Sequence, residues 1–264
     1  MEKRDTKDFL WLNLKDLPYF RALLRAVEAG FYQDIDLPSP VLDLGCGDGH
    51  FASVAFDRKI DVGLDPWWGP VRQARQRGVY HLILQSDGAH MPFPEGYFAS
   101  GFSNSVLEHI PEIDPVLKEV CRVLKPNAPF VFCVPNHRFL PSLSIGQSLD
   151  RWHLNALAKS YRAFFNRISR HHHCDSPETW QDRLKRAGFK LERWWHYFPP
   201  AALRVLEWGH YWGAPTLLPH ALIKRWLWMP TRWNLALTER MLRPYAGNVP
   251  HPDGAYTFFI AKKV

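Results

Sequence analysis

Val41-Leu42-Asp43-Leu44-Gly45-Cys46-Gly47-Asp48-Gly49-His50 decides how this chain reads. A short apolar run enters a turn with glycine at 45, 47 and 49, and a helical segment, Phe51 to Phe56, leaves it. Glycine lets the backbone adopt positive φ and lets a ligand approach the main chain closely. A strand passing through such a turn into a helix suits a nucleotide-like cofactor at the carboxyl edge of a sheet. A dinucleotide fingerprint would need its third glycine at position 50, where His50 stands. Asp43 and Asp48 place carboxylates beside the helix start, which opposes a pyrophosphate and favours a cationic ligand.

Outward from this turn, strands are predicted at Ile60 to Leu64, Tyr80 to Leu84, Phe98 to Ser103 and Phe130 to Val134, with helices at Val71 to Arg77 and Pro115 to Leu124. Their alternation predicts an α/β fold with a doubly wound parallel sheet. A helix stopped by Gly30 is predicted before them, over Leu17 to Ala29. Past Pro135 the rhythm changes. Trp152, Leu157, Tyr161, Phe164 and Ile168 predict one amphipathic helix over Leu149 to Ile168. Ser176-Pro177 opens another helix, Gly188 closes it, and strands follow at Phe189 to Phe198 and Tyr256 to Ala261. Between those strands, residues 199–253 are too long for a loop and read as an insertion of two or three short helices. Asp65 ends the second strand, where a carboxylate can accept both hydroxyls of a ribose. Asp87-Gly88-Ala89 follows the third strand, beside the place of an adenine edge, and Asn104 to Ile110 follows the fourth.

With 264 residues and 46% hydrophobic content the chain can bury a full core, which excludes wholesale disorder and a disulfide-stapled miniature fold. Cysteines at 46, 121, 133 and 174 show no CxxC spacing, so a reducing, cytoplasmic setting is expected. The N-terminal MEKRDTKDFLWL has no apolar signal core, and no run of 18 apolar residues predicts a spanning helix. Residues 1–137 hold 14 Lys and Arg against 18 Asp and Glu, a net of −4, whereas residues 138–264 hold 19 against 8, a net of +11. Nine of the twelve tryptophans also lie in that second half. A basic, aromatic half fits an anionic or amphipathic partner, and equally a solvated basic face over a Trp-rich core.

The quoted turn, VGLDP at 62–66, SDGAHMPFPEGYFASGFSNSVLEHI at 86–110 and VLKEVCRVLKPNAPFVFCVPN at 116–136 resemble the successive motifs of class I S-adenosylmethionine-dependent methyltransferases, in particular their small-molecule group. SPETWQDRLKRAGFKLERWWHYF at 176–198 continues the likeness more weakly. The resemblance implies a single domain over 1–264 with a Rossmann-like seven-stranded sheet, its last strand antiparallel, and helical insertions in the C-terminal half. Within it, 38–136 would be the cofactor-binding core, 138–175 a helical acceptor-side segment and 199–253 the Trp/Arg-rich insertion. It also implies S-adenosyl-L-methionine as cofactor: its methionine part against Asp43, Gly45, Cys46 and Gly47, its ribose on Asp65, its adenine at Asp87, Gly88 and Ala89. Ser103 and Asn104 would lie near the sulfonium. The family often has Glu where Asp65 stands.

The implied reaction is an in-line displacement, which needs a base only if the acceptor arrives protonated. His109 and His137 are the histidines placed on the active edge as candidate proton acceptors. Within His171-His172-His173-Cys174 adjacent side chains diverge, so no metal site is expected from that run. The acceptor is expected to be a small or amphipathic molecule, including a lipid-linked one. Leu222, Ile223, Trp226, Leu227, Trp228 and Met229, with Lys224, Arg225 and Arg232 among them, have the composition of a helix lying on a membrane surface. A lid over the active site and an oligomer contact fit the same stretch. Nucleic acid fits poorly, since no RNA module is present. The competing readings are a nicotinamide-dependent oxidoreductase on a similar sheet and a non-catalytic cofactor-binding scaffold.

Overall fold

The protein, described here by a computed structural model, is defined over residues 7–212, 226–227 and 229–264. Of the stretch read as interfacial, Leu222, Ile223, Lys224, Arg225 and Trp228 lie outside the described residues. The strands are β1 (Val41–Leu44), β2 (Ile60–Asp65), β3 (Tyr80–Gln85), β4 (Ser100–Asn104), β5 (Pro129–Pro135), β6 (Phe189–Tyr197) and β7 (Tyr256–Lys263). They form one sheet in the order β3-β2-β1-β4-β5-β7-β6. The first five are mutually parallel, and β7 runs antiparallel between β5 and β6. This is the seven-stranded Rossmann-like arrangement expected, and its antiparallel pair separates it from a dinucleotide sheet of order 3-2-1-4-5-6.

Helices cover both faces: α1 (Phe9–Leu14), α2 (Tyr19–Tyr32), α3 (His50–Ala55), α4 (Trp68–Arg77) and α5 (Ile113–Val123) in the first half. The second half adds α6 (Ser144–Arg151), α7 (Asn155–Ser169), α8 (Pro177–Ala187), α9 (Pro200–Trp212) and α10 (Arg232–Leu242). Strand residues alternate between two apolar layers. Phe130, Phe132 and Val134 of β5 pack with α5 and α8, whereas Val131 and Cys133 pack with α2. A strand covered on both faces buries nearly every side chain: β5 does so with an apolar run, whereas β1 and β4 also bury Asp43, Ser103 and Asn104.

Two predicted boundaries are corrected. The first long helix continues through Gly30 to Tyr32, because burial against the sheet outweighs the modest cost of one interior glycine. The helix expected over Leu149 to Ile168 is two helices. The chain breaks at His153, whose φ is 58°. Ser176 caps α8, its hydroxyl accepting from the Thr179 amide at 3.4 Å, and Gly188 ends that helix in the left-handed region, both as expected.

Glu207 of α9 is fully buried. Its carboxylate accepts from the Ser144 amide and hydroxyl, both at 2.6 Å, from the Ile145 amide at 3.1 Å and from the Tyr161 hydroxyl at 2.6 Å. It thereby caps α6, whose first amides have no intrahelical partner. One carboxylate thus binds α9 to α6 and α7. Among the described residues no helix is long and apolar enough to cross a membrane.

Candidate functional site

The glycine turn leaves β1 where its neighbours β2 and β4 also end. Gly45 and Cys46 donate their amides to the Leu64 carbonyl at 2.8 and 3.0 Å, so the turn folds back over the end of β2. Gly47 donates to Asp65 Oδ2 at 3.0 Å, and the Trp67 amide donates to Asp65 Oδ1 at 2.9 Å. Each Asp65 oxygen keeps a further acceptor site. The two glycines do different work. A Cβ on Gly45 would meet the Val106 methyls at 2.4 and 2.6 Å, whereas one on Gly47, at φ +54°, would meet nothing within 4 Å. Gly47 therefore borders open space, and a side chain there would fill it. That opening beside the Asp65 carboxylate fits a ligand that carries ribose hydroxyls.

Asp43 lies buried beneath the turn and accepts from the Tyr80 hydroxyl at 2.6 Å. Burial pushes its carboxyl up to about 7, aided by the neighbouring Asp65 charge and opposed by the Tyr80 hydrogen bond. Cys46 is also buried and lies 3.1 Å from where a Cβ on Gly63 would stand, so its side chain faces β2. Asp48 is tied to Arg77 at 3.2 Å. After β3, Asp87 accepts from the Ala89 amide at 3.0 Å and faces His90 at 3.5 Å. The position of Gly88 is closed to a Cβ by Leu44 and Val116, each at 3.2 Å.

Ser103 and Asn104 direct their side chains inward. Ser103 donates to the Leu44 carbonyl at 2.8 Å, and Asn104 donates to Glu28 Oε2 at 2.7 Å. Glu28 is the centre of a buried network that the sequence analysis did not single out. It also accepts from Arg25 at 2.7 Å, Ser105 at 2.8 Å and Tyr197 at 3.0 Å. The available signal was its place four residues after Leu24, inside the apolar stripe of α2, where a charge must find partners.

Beside this network a cavity of about 160 Å³ opens between α2, α9 and the turn after β4. Phe20, Leu24, Phe139, Leu206 and Tyr256 supply apolar walls, while Arg21, Glu108, His109 and His171 supply polar groups. His109 Nδ1 lies 3.0 Å from the Arg170 carbonyl, so Nδ1 carries the proton and Nε2 keeps its lone pair. Burial lowers the pKa of His109 and takes that of His171 down to about 3, keeping both neutral. His137 does not line this cavity; it is exposed, with its ring edge-on to His196 at 6.0 Å.

Asp43 makes a testable pH signature. Its folded pKa lies above the ordinary value, so the folded chain holds a proton that the unfolded chain releases above about pH 4. The stability this contributes is present at low pH and lost as pH rises to about 7. Asp43→Asn should therefore gain on the parent protein between pH 5 and pH 8, by about 2–3 kcal/mol. Urea melts of both proteins across that range measure the difference, and a constant difference would refute it.

Residues 42–132 match the family described as a methyltransferase domain. A malonyl-(acyl-carrier protein) O-methyltransferase of Legionella pneumophila is 30% identical over 101 residues, 36% of each chain. A 2-phytyl-1,4-naphtoquinone methyltransferase of Synechococcus elongatus is 30% identical over 130 residues, 45% of this chain and 56% of that one. The chain thus spans from about a third to little more than half of these curated relatives. Among solved structures, a methyltransferase of Thermotoga maritima described as a possible histamine N-methyltransferase superposes with TM-score 0.54 at 15% identity, covering 92% of this chain and 89% of that one. Residues 42–132 are thus similar to a methyltransferase domain, and the sheet around them has the fold of solved methyltransferases.

Proposed function

We propose that this protein transfers a methyl group from S-adenosylmethionine to an amphipathic, lipid-linked acceptor. The observation that carries the transfer is the open space over Gly47, whose amide is held by the Asp65 carboxylate at the end of β2. Gly47 would take the cofactor's methionine part, Asp65 its ribose hydroxyls, and the segment Asp87 to Ala89 its adenine. When bound, that cofactor supplies an electrophilic methyl group on a sulfonium. The protein's own work is to orient the acceptor and exclude water. Phe139 and Leu206 shield the cavity, and the His109 Nε2 lone pair assists an acceptor that must shed a proton.

The acceptor class rests on exposed side chains of the second half of the chain. Trp152, Trp212 and Trp233 are each more than 70% exposed, with Leu157 and Trp208 also exposed nearby in sequence on α7 and α9. Large exposed aromatics on a half with net charge +11 suit an interface with anionic lipid. One relative's name carries a phytyl-bearing naphthoquinone acceptor, in line with that chemistry, and another's a malonyl-(acyl-carrier protein).

Calorimetry with S-adenosylhomocysteine and with NAD tests the cofactor, and a preference for the former above ~100-fold, about 2.8 kcal/mol, is expected. Labelled methyl should then pass from the cofactor into the organic phase of a lipid extract. Tighter binding of NAD would overturn the methyltransferase reading. Label confined to water-soluble products would overturn the lipid-linked acceptor.

A further inference from the structure

We infer that Glu108, His109 and His171 form a site for a divalent first-row cation, of which Zn²⁺ and Co²⁺ are the practical probes. One ligand atom of each lies within 4.8 Å of the other two. Zinc bonds of about 2.0–2.2 Å need these atoms to draw together by less than about 2 Å, a change that side-chain rotation supplies. Adjacent histidines of one run could not do this. The set works because it draws on two segments, the short turn after β4 and the connection from α7 to α8.

Three observations make it a built site. Glu108 is 1% exposed, yet its Oε2 has no hydrogen-bond partner among the described residues. A buried carboxylate oxygen left bare costs about 1–3 kcal/mol or more, so something should answer it. Arg25 does not, because its guanidinium goes to Glu28 at 2.7 Å and to the Asn104 carbonyl at 3.3 Å. Secondly, the Arg170 carbonyl holds His109 in the tautomer that turns Nε2 toward Glu108, at 3.8 Å from Oε1. A carbonyl on the far nitrogen is the usual way a ligating imidazole is oriented. Thirdly, the His172 and His173 amides both donate to the Glu108 carbonyl, at 2.7 and 3.3 Å, pinning the segment that carries His171 onto the turn that carries the other two.

Two imidazoles and one carboxylate suit borderline first-row metals better than calcium or magnesium. All three residues line the cavity, so the remaining coordination positions open into it. Cation binding itself does not rest on the methyl-transfer reading. Its consequence does: with the cation bound, the His109 lone pair no longer serves as base, and an acceptor hydroxyl coordinated there would lose its proton to solvent instead.

The test is to dialyse the full chain against chelator, then titrate it with Zn²⁺ by calorimetry and with Co²⁺ by visible absorption. One equivalent should bind, with cobalt d–d bands appearing. His171→Asn and the isosteric Glu108→Gln should each weaken binding at least tenfold, while His90→Asn, on an exposed histidine, leaves it unchanged. Far-ultraviolet dichroism reports folding, and S-adenosylhomocysteine binding should persist in every variant, which separates this result from the fate of the cofactor site. Less than a tenth of an equivalent in the parent protein overturns the inference. So does equal binding by both ligand variants, which would mark adventitious surface histidines only.

Discussion

Replacing Gly47 with valine should lower S-adenosylhomocysteine affinity more than ~100-fold while leaving the chain folded. The residue stands at φ +54°, where a side chain costs about 1–3 kcal/mol, so a fall of several degrees in Tm is expected. No protein atom lies within 4 Å of the new Cβ, so the strain comes without a clash and the fold survives it. The valine methyls then occupy the space over the turn, and the ligand is displaced. Gly78 supplies a matched control: it ends α4 at φ +70°, again with nothing within 4 Å of a Cβ, but before β3 begins and hence at the opposite edge of the sheet. Gly78→Val should cost similar stability and leave affinity intact. Equal affinity in both variants would remove the cofactor from this turn. Gly45→Val is the less informative substitution, since its collision with Val106 would disturb the turn and the segment after β4 together.

The contrast between these glycines shows what was legible in the sequence and what was not. Glycine spacing and the alternation of strand and helix sufficed to place the turn on β1, because both depend on neighbours a few residues apart. The single helix expected over Leu149 to Ile168 failed for a related reason. The five-residue gap between Trp152 and Leu157 is wider than one helical turn: Trp152 ends α6 exposed and His153 reverses the backbone. The larger omissions are pairings across the chain. Glu207 reaches Ser144, and His171 reaches Glu108 and His109; no local pattern announces either. Segments 138–175 and 199–253 consequently read as separate additions, though α9 and α6 share one buried carboxylate.

Glu28 presents the same problem with a larger energetic consequence. Replacing it with alanine should cost about 3–5 kcal/mol, or about 10 °C or more in Tm. The carboxylate is fully buried and gathers four donors from α2, the end of β4 and β6: Arg25, Asn104, Ser105 and Tyr197. Its removal leaves the charged Arg25 guanidinium without the carboxylate that offsets the cost of its burial. It also frees Ser105, a non-glycine residue at φ 50° whose hydroxyl is held by Glu28 at 2.8 Å. Strain of that kind persists only where the surroundings enforce it. The relaxation should travel to Glu108 and His109, three and four residues on, so Glu28→Ala should lose acceptor turnover even at temperatures where it stays folded. A double replacement, Arg25→Met with Glu28→Met, removes both charges at once and should recover much of the stability but not the turnover. Chemical denaturation and turnover measured on the three proteins separate the two effects. A loss below about 1 kcal/mol in Glu28→Ala would show that the network is satisfied by water and is not what positions the turn.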